Sequence, residues 1–397
     1  MELRSLTSED TAAQRSLMAE AFEGGRRSDP PAGDSPQSET KEPPVLGVFD
    51  GSRLVASLTI QDLHLFWGTE TVPLGGIAGV ACTADQRGRG HVARLLIESL
   101  RTMRDSGQFL SGLFPFSVAF YRRYGWDWVG EKRTFTVPTL AIPSYPEGKH
   151  VRSYDGPKAL DVVRPVYEGF AYRYRGMATR TDPTTAFWDQ SLKHGDNRTT
   201  YVQVYHAPET GEAEGYLTFR YPKEGDTGSV GEFFANTPAA YRGLLSVLHY
   251  YGTQVRQVRF SGPADCPLPL HIMHNNLETK VSPLFMGRVV DVAAAFGALR
   301  PPPDVSGTLL LKMVDEHADW NQKTFRITAE AGHITATAAP EEPGITLDIQ
   351  TLSQSYWGQP SLLQLRESGR VTVADETQFS LLAQILTPGI CYLQDGF

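Results

Sequence analysis

Three cysteines, Cys82, Cys266 and Cys391, are all that the 397 residues contain, and their odd number and wide spacing leave no disulfide framework to read. That usage suits a reducing compartment. Long apolar runs are also missing, since no stretch approaches the roughly eighteen apolar residues of a membrane-spanning helix. The opening MELRSLTSED lacks a basic region followed by an apolar run, so no secretory signal is expected and the cytoplasm is the expected location. Positive charge is in deficit: 37 Lys and Arg stand against 45 Asp and Glu, a formal charge of −8. Such a balance argues against nucleic acid as a bulk partner and suits a cationic amine. No G-x-x-x-x-G-K-[ST] occurs, which excludes a Walker-type phosphate loop.

What is present centres on Gly75 to Gly130. A short apolar strand, Gly79 to Thr83, leads into the turn Arg87-Gly88-Arg89-Gly90 and then a helix with Val92, Leu95, Leu96 and Leu100 at helical spacing. Backbone N–H groups at such a turn point outward without partners and the helix dipole adds positive potential, so the site suits a pyrophosphate. A dinucleotide fingerprint is met only loosely, by Gly88, Gly90 and Ala93, and no Asp or Glu closes the next strand, FLSGLFPF, for a ribose contact. That strand, expected over Phe109 to Phe116, is followed by Phe120-Tyr121-Arg122-Arg123-Tyr124-Gly125-Trp126.

The two motifs together resemble the GCN5-related N-acetyltransferases (GNAT). The acetyl-CoA loop of that family, [RQ]-x-x-G-x-[GA], reads here as Arg87-Gly88-Arg89-Gly90-His91-Val92, with Val92 departing from the usual small residue, and F-Y-x-x-x-G-[FYW] reads as Phe120 to Trp126. The resemblance implies acetyl-CoA as co-substrate, held by Val80, Ala81, Cys82, Arg87, Gly88, Arg89, Gly90, His91, Val92, Ala93, Phe116 and Ser117. It also implies that Tyr121 lies near the leaving thiol, where a phenol of ordinary pKa about 10 serves as general acid. An N–H from the strand around Val80 to Cys82 is the simplest oxyanion donor.

Along the rest of the chain, Thr7 to Asp10 caps a helix expected to run to about Phe22, and Gly24 to Pro44 is polar and Pro/Gly-rich, a loop that could overhang an acceptor cleft. VLGVFD, RLVASLTIQDLHLFWG and TVPLGGIAGVACT read as a meander, with the first domain closing near 145. In the middle region, helices at Lys158–Ala171 and Thr184–Lys193 precede strands at Thr200–Tyr205, Glu214–Tyr221 and Gly228–Phe234. A turn bearing Arg242-Gly243, a helix to Tyr251 and a strand at Val255–Phe260 repeat the order of the first domain, as a degenerate copy that should not hold acetyl-CoA and forms a wall of the acceptor site. His271 and His274 near Cys266 have no second ligand pair, so no metal is expected.

From Met286 a helix is expected to Phe296, followed by strands at Gly307–Val314, Lys323–Glu330, Gly332–Ala338 and Ile345–Ile349, then helices at Thr351–Trp357, Ser361–Glu367 and Glu376–Leu386. This order, with the run Arg288-Val289-Val290-Asp291-Val292, resembles the sterol carrier protein-like domain that closes the Eis (enhanced intracellular survival) acetyltransferases. The full-length resemblance implies an α+β chain of three parts: a catalytic GNAT domain over 1–145, a degenerate GNAT-like domain over 146–285 and a sterol carrier protein-like domain over 286–397. It implies acetylation of primary amines on aminoglycosides or polyamines, a homo-oligomer such as a hexamer, and a C-terminus, Phe397, placed in the active site. An α-carboxylate of pKa near 3.5 is a weak base, but it can attract an ammonium and pass its proton to water. Two alternatives stand beside this reading, a protein lysine acetyltransferase and a non-catalytic module binding an apolar ligand.

Overall fold

Alternating apolar residues build the first half of a long sheet. The structure is a computed structural model that describes residues 1–22, 43–181, 186–193, 199–272, 275 and 277–397. Strands β1 (Glu2–Ser5), β2 (Val45–Asp50), β3 (Arg53–Trp67) and β4 (Glu70–Cys82) form an antiparallel meander. Helix α1 (Thr11–Phe22) follows a 3₁₀ turn at Ser8–Asp10, where Thr7 and Asp10 form the expected capping box. Helix α2 (His91–Asp105) buries Leu95, Leu96, Leu100 and Met103 at helical spacing, and β5 (Leu110–Leu113) then pairs parallel with β4. The expected Phe109–Phe116 strand is thus shorter. Short helix α3 (Val118–Arg122) and β6 (Asp127–Pro138) complete this part.

The middle region holds β7 (Val151–Asp155), α4 (Leu160–Ala171), β8 (Arg175–Ala178), α5 (Ala186–Leu192), β9 (Tyr201–His206), β10 (Ala213–Arg220), β11 (Thr227–Ala235), α6 (Pro238–Tyr250), β12 (Gln257–Gly262), α7 (Leu268–His271) and β13 (Glu278–Val289). All these strands join the first half in one thirteen-stranded sheet of order β1-β2-β3-β4-β5-β13-β6-β12-β11-β10-β9-β7, with β8 paired to β3. Strand β13 lies between β5 and β6, antiparallel to both. Residues up to Val289 therefore form a strand where a helix was expected from Met286, because Phe285 and Met286 on one strand bury against neighbours that sequence periodicity does not reveal. Arg242 and Gly243 lie inside α6 rather than in a turn, since the helix already starts at Pro238 behind its Thr237 cap.

The last part comprises α8 (Val292–Ala298), β14 (Gly307–Val314), β15 (Thr324–Glu330), β16 (His333–Ala338), β17 (Ile345–Asp348), α9 (Ile349–Trp357), α10 (Leu362–Glu367), β18 (Thr372–Val373) and α11 (Glu376–Ile385), with the sheet order β16-β15-β14-β17-β18. From β14 onward these elements fall within two residues of the expected spans, apart from β18, which was not expected; α8 starts six residues after the expected Met286 because that segment belongs to β13. Every residue of α9 except Gln350 is buried, wedged between the small sheet and strands β6 and β13. After α11 the chain returns to the large sheet: Cys391 bridges Arg175, and Tyr392 donates its N–H to the Arg175 carbonyl. The expected polar loop from Gly24 lies outside the described residues apart from its last two positions, as do the start of the expected helix at Thr184 and His274. No helix of the described residues is long and apolar enough to cross a membrane, and no cluster of three or more His, Cys, Asp or Glu among them is placed to hold a metal.

Candidate active site

Strands β4 and β5 pair in register only from Leu74 and Leu110 to Ile77 and Leu113, and beyond that they part. On its other side β4 bulges, with Gly79 and Val80 facing Leu58 alone between the Ser57–Ala81 and Thr59–Ala78 pairs. The ladder is therefore interrupted at Gly79 and Val80, and pairing with β3 resumes at Ala81 and Cys82. The turn that follows ends at Gly90, whose φ of 81° suits glycine, and α2 starts there with no side-chain cap. Its first-turn N–H groups stay available to a ligand.

These elements enclose a cleft of about 660 Å³. Of the residues expected to hold acetyl-CoA, Val80, Ala81, Cys82, Arg87, Gly88, Gly90, His91, Val92, Ala93 and Phe116 line it. Ala21, Phe22, Gln86, Phe120, Arg123 and Tyr124 complete the wall. Arg89 and Ser117 stand outside, Ser117 instead accepting the Phe120 N–H at the start of α3. Among the described residues, buried polar atoms without partners gather at the turn: both ring nitrogens of His91 and the Gln86 Oε1. Orphaned polar atoms in a cleft wall, beside an uncapped helix start, fit a group rich in phosphate oxygens and amides such as coenzyme A. The turn is braced from behind by the Arg53–Asp85 ion pair at 2.9 Å and by Glu20 accepting the Ala84 N–H at 3.1 Å.

Tyr121 does not line this cleft. It is 2% exposed, with its ring 5.2 Å from that of Phe116, and burial pushes its phenol up to about 12. Tyr124 stands in the cleft wall instead.

Three consecutive carbonyls after the α3 core are each taken by a distant side chain. Gln350 Nε2 donates to Arg122 at 2.9 Å, His317 Nε2 lies 2.8 Å from the Arg123 oxygen, and Arg288 Nη1 donates to Tyr124 at 2.8 Å. Arg288 is wholly buried and also meets both oxygens of Asp315, at 2.9 and 2.8 Å. Two of these groups come from the last domain and one from β13, so the turn carrying Tyr121 and Tyr124 is fixed from behind by groups that no motif announces. Asp127 adds to this brace, buried between Arg122 and Arg370; burial pushes its carboxyl up and the arginines oppose that rise.

Phe397 reaches the point where β4 and β5 part. Its ring lies 5.3 Å from that of Phe114, and a Cβ on Gly76 would come within 2.7 Å of it, so glycine is what lets the ring sit on β4. Two residues earlier the tail is anchored in the middle region. Arg180, fully buried, donates to Asp395 at 2.7 Å and to Glu232, while Tyr216 and Ser191 donate to Glu232 at 2.7 and 2.6 Å. Burial is the largest influence on Asp395 and pushes its carboxyl up, with Arg180 pulling the other way. Neither Arg180 nor Glu232 belongs to any sequence motif; an Asp two residues from a chain end was the one available signal.

A second groove, of about 340 Å³, starts at Phe114 and is lined by Lys132, Thr134, Ser229 to Gly231, Arg259 to Ser261, Leu284 and Tyr392 to Gln394. Ser229 to Gly231 and Arg259 to Ser261 of the middle region contribute to its wall.

Comparison with known proteins agrees with this organisation. Residues 2–129 and 176–289 each match a family described as acetyltransferase (GNAT) domain, and residues 292–394 match a sterol carrier protein domain. An uncharacterized N-acetyltransferase of Streptomyces avermitilis is 26% identical over 381 residues, covering 89% of this chain and 88% of that one. Among solved structures, a GCN5-related N-acetyltransferase from Anabaena variabilis superposes with a TM-score of 0.85 at 20% identity, covering 100% of both chains. A probable N-acyltransferase from Enterococcus faecalis gives 0.87 at 22% identity, covering 100% and 99%. Eis1 from Mycobacterium abscessus gives 0.81 at 19% identity, covering 100% of both, and at these identities the likeness is one of fold. Two acetyltransferase folds and a sterol carrier protein-like domain in one chain, with the motif-bearing cleft in the first, make this protein an N-acetyltransferase of the GNAT type.

Proposed function

We propose that the protein transfers acetyl from acetyl-CoA to a primary amine of a small molecule, by direct attack of the amine on the thioester. The observation that carries this reading is the uncapped start of α2 beside the orphaned polar atoms of Gln86 and His91, in a cleft opened by the parting of β4 and β5. Acetyl-CoA, when bound, supplies an activated acetyl group. Val80 to Cys82, Arg87, Gly88, Gly90 to Ala93 and Phe116 would hold it, with backbone N–H groups at the start of α2 donating to the pyrophosphate. A backbone N–H at the β4 bulge donates to the oxygen that gains charge during attack.

Tyr121 gives a proton to the departing sulfur. What supports this is its place in the motif; at about 12 the phenol stays protonated throughout the working range. Tyr124 is the second reading, favoured by its position in the cleft wall. The carboxylate of Phe397 attracts the acceptor ammonium and relays its proton to water, which the docking of the Phe397 ring at Gly76 and Phe114 supports. Aminoglycosides and polyamines are the acceptors implied by the resemblance to Eis-type enzymes. Release of coenzyme A measured with a panel of amines and a lysine peptide tests the whole reading: turnover with small amines is expected, turnover with the peptide alone would make it a protein acetyltransferase, and none at all would leave a binding module.

A further inference from the structure

The groove that leaves the tail at Phe114 runs over an uncovered face of the large sheet, and register decides what that face carries. Ser282 stands opposite Lys132, Lys280 opposite Thr134, Ser261 opposite Thr134, and Arg259 opposite Thr136. Residues directly opposite on paired strands share a face, so Lys132, Lys280 and Arg259 gather on one side together with the hydroxyls of Thr134, Thr136, Ser261 and Ser282. All three cations are exposed, and none makes an ion pair with a carboxylate among the described residues. Arg259 Nε reaches only the Thr136 hydroxyl, at 3.4 Å.

The carboxylates nearby do not neutralise this face. Glu131 sits on the opposite face of β6, bound to Arg133 at 2.8 Å. Glu232 and Asp395, in the adjoining cavity, are both taken by Arg180. Glu278, opposite Thr136, is the acidic residue that β13 adds to the face. In a protein of formal charge −8, a groove with unpaired cations at its far end and the aromatic tail at its near end is an asymmetric site.

We infer that the acceptor is a dipolar molecule: an amine at the Phe397 end and a carboxylate or phosphate at the Lys132–Arg259 end, lying along the groove between them. The inference rests on the amine-acetylating reading above, and it replaces the polycationic acceptors implied by the resemblance with a dipolar one. The near end is apolar, formed by Phe114 and Leu284, which suits the carbon chain joining the two charges. From Leu284 to Ser282, the partner of Lys132, is two residues along a strand, roughly 7 Å, so a linker of several carbons fits better than an α-amino acid.

The experiment compares matched amines that differ in the far end alone: 6-aminohexanoate with hexylamine, and phosphoethanolamine with ethanolamine, with spermidine as a purely cationic reference. Coenzyme A release by the full chain gives kcat and KM for each. At least one anionic member should exceed its partner in kcat/KM by about tenfold, the sum of two partly exposed charge contacts, and the longer pair should show the larger ratio. The preference should reside in KM and shrink in high salt. The double variant Lys132→Gln, Arg259→Gln should erase it, and Lys132→Arg should retain it. Equal values within both pairs, a preference for spermidine, or a preference that survives the double variant overturns the dipolar acceptor while leaving the acetyltransferase standing. Absence of turnover with all five amines overturns the amine-acetylating reading itself, and this inference with it.

Discussion

The chain contains the same strand–turn–helix unit twice, and the two copies use it in opposite ways. In the first, α2 begins at Gly90 with no cap, and the parting of β4 and β5 leaves an open cleft. In the second, β11 and β12 also pair in parallel for only three residues, from Thr227 to Ser229, before they part. There α6 is closed: Thr237 accepts the Ala240 N–H at 3.2 Å, and Pro238 at the first helical position has no N–H to offer. The gap between β11 and β12 is occupied by the chain's own tail, with Tyr392 reaching the Ser261 carbonyl and Gln394 the Gly231 carbonyl. One unit is built to receive a ligand and the other to hold the segment that ends beside it. A single fold serves both ends because what matters for anion binding is whether backbone donors remain unsatisfied, and one Thr-Pro pair removes them.

The sharpest way to break this contrast is to place charge on the open copy. Gly90→Asp should abolish acetyl-CoA binding in calorimetry, because a carboxylate would stand against the pyrophosphate among backbone donors. Binding at the parent level would move the cofactor to another place, the second copy included.

Next in size, Tyr121→Phe should lower turnover by roughly 10² to 10⁴ with acetyl-CoA affinity nearly unchanged, the usual scale of a general acid. With its phenol at about 12, Tyr121 loses its proton only above the usual assay range. An alkaline fall in rate below pH 10 would therefore belong to another group, and an unaffected Tyr121→Phe would transfer the role to Tyr124.

The tail tests how the two copies cooperate. Adding a few residues after Phe397 should lower activity by at least about tenfold through misplacement of its carboxylate, while acetyl-CoA still binds. Asp395→Ala should act in the same direction and also lower the melting temperature, since it leaves Arg180 facing Glu232 alone in a buried site. A tagged chain as active as the parent would make the tail a structural element only.

The smallest effect is expected in the closed copy. Thr237→Ala should cost about 1 kcal/mol of stability, measured by denaturant unfolding, the ordinary value of a lost helix cap. It should not create a second acetyl-CoA site, because Pro238 and the tail remain; a stoichiometry of two would show that the cap alone separates the copies.

Much of the fold was legible because its signals are local. Helix α2 followed from Leu95, Leu96 and Leu100, and the last domain from Gly307 onward, β18 apart, followed closely from alternation and turns. The cleft was legible for the same reason, since a turn and a helix start lie within a dozen residues of one another. Where reading failed, the deciding contact was distant. Met286 and Val289, three residues apart, satisfy a helical pattern as well as a strand, and the gap between β5 and β6 selects the strand. Arg242-Gly243 lies within α6 rather than in a turn, and Gly243 is buried there, where a Cβ would meet the Tyr205 ring.

By itself, the sequence determined the three-part plan, the cofactor turn and the aromatic motif, all of which depend on residues close enough in the chain to set hydrogen bonding and burial by spacing alone. Tertiary structure decided which helix start stays open, that Arg180 reaches across 215 residues to hold Asp395, and that Gln350, His317 and Arg288 fasten the turn after Tyr121. It also decided that Lys132, Lys280 and Arg259 share a face. The physical reason is the same in each case: buried charges and strand registers take their energy from partners brought near by the fold, and spacing along the chain carries no record of them.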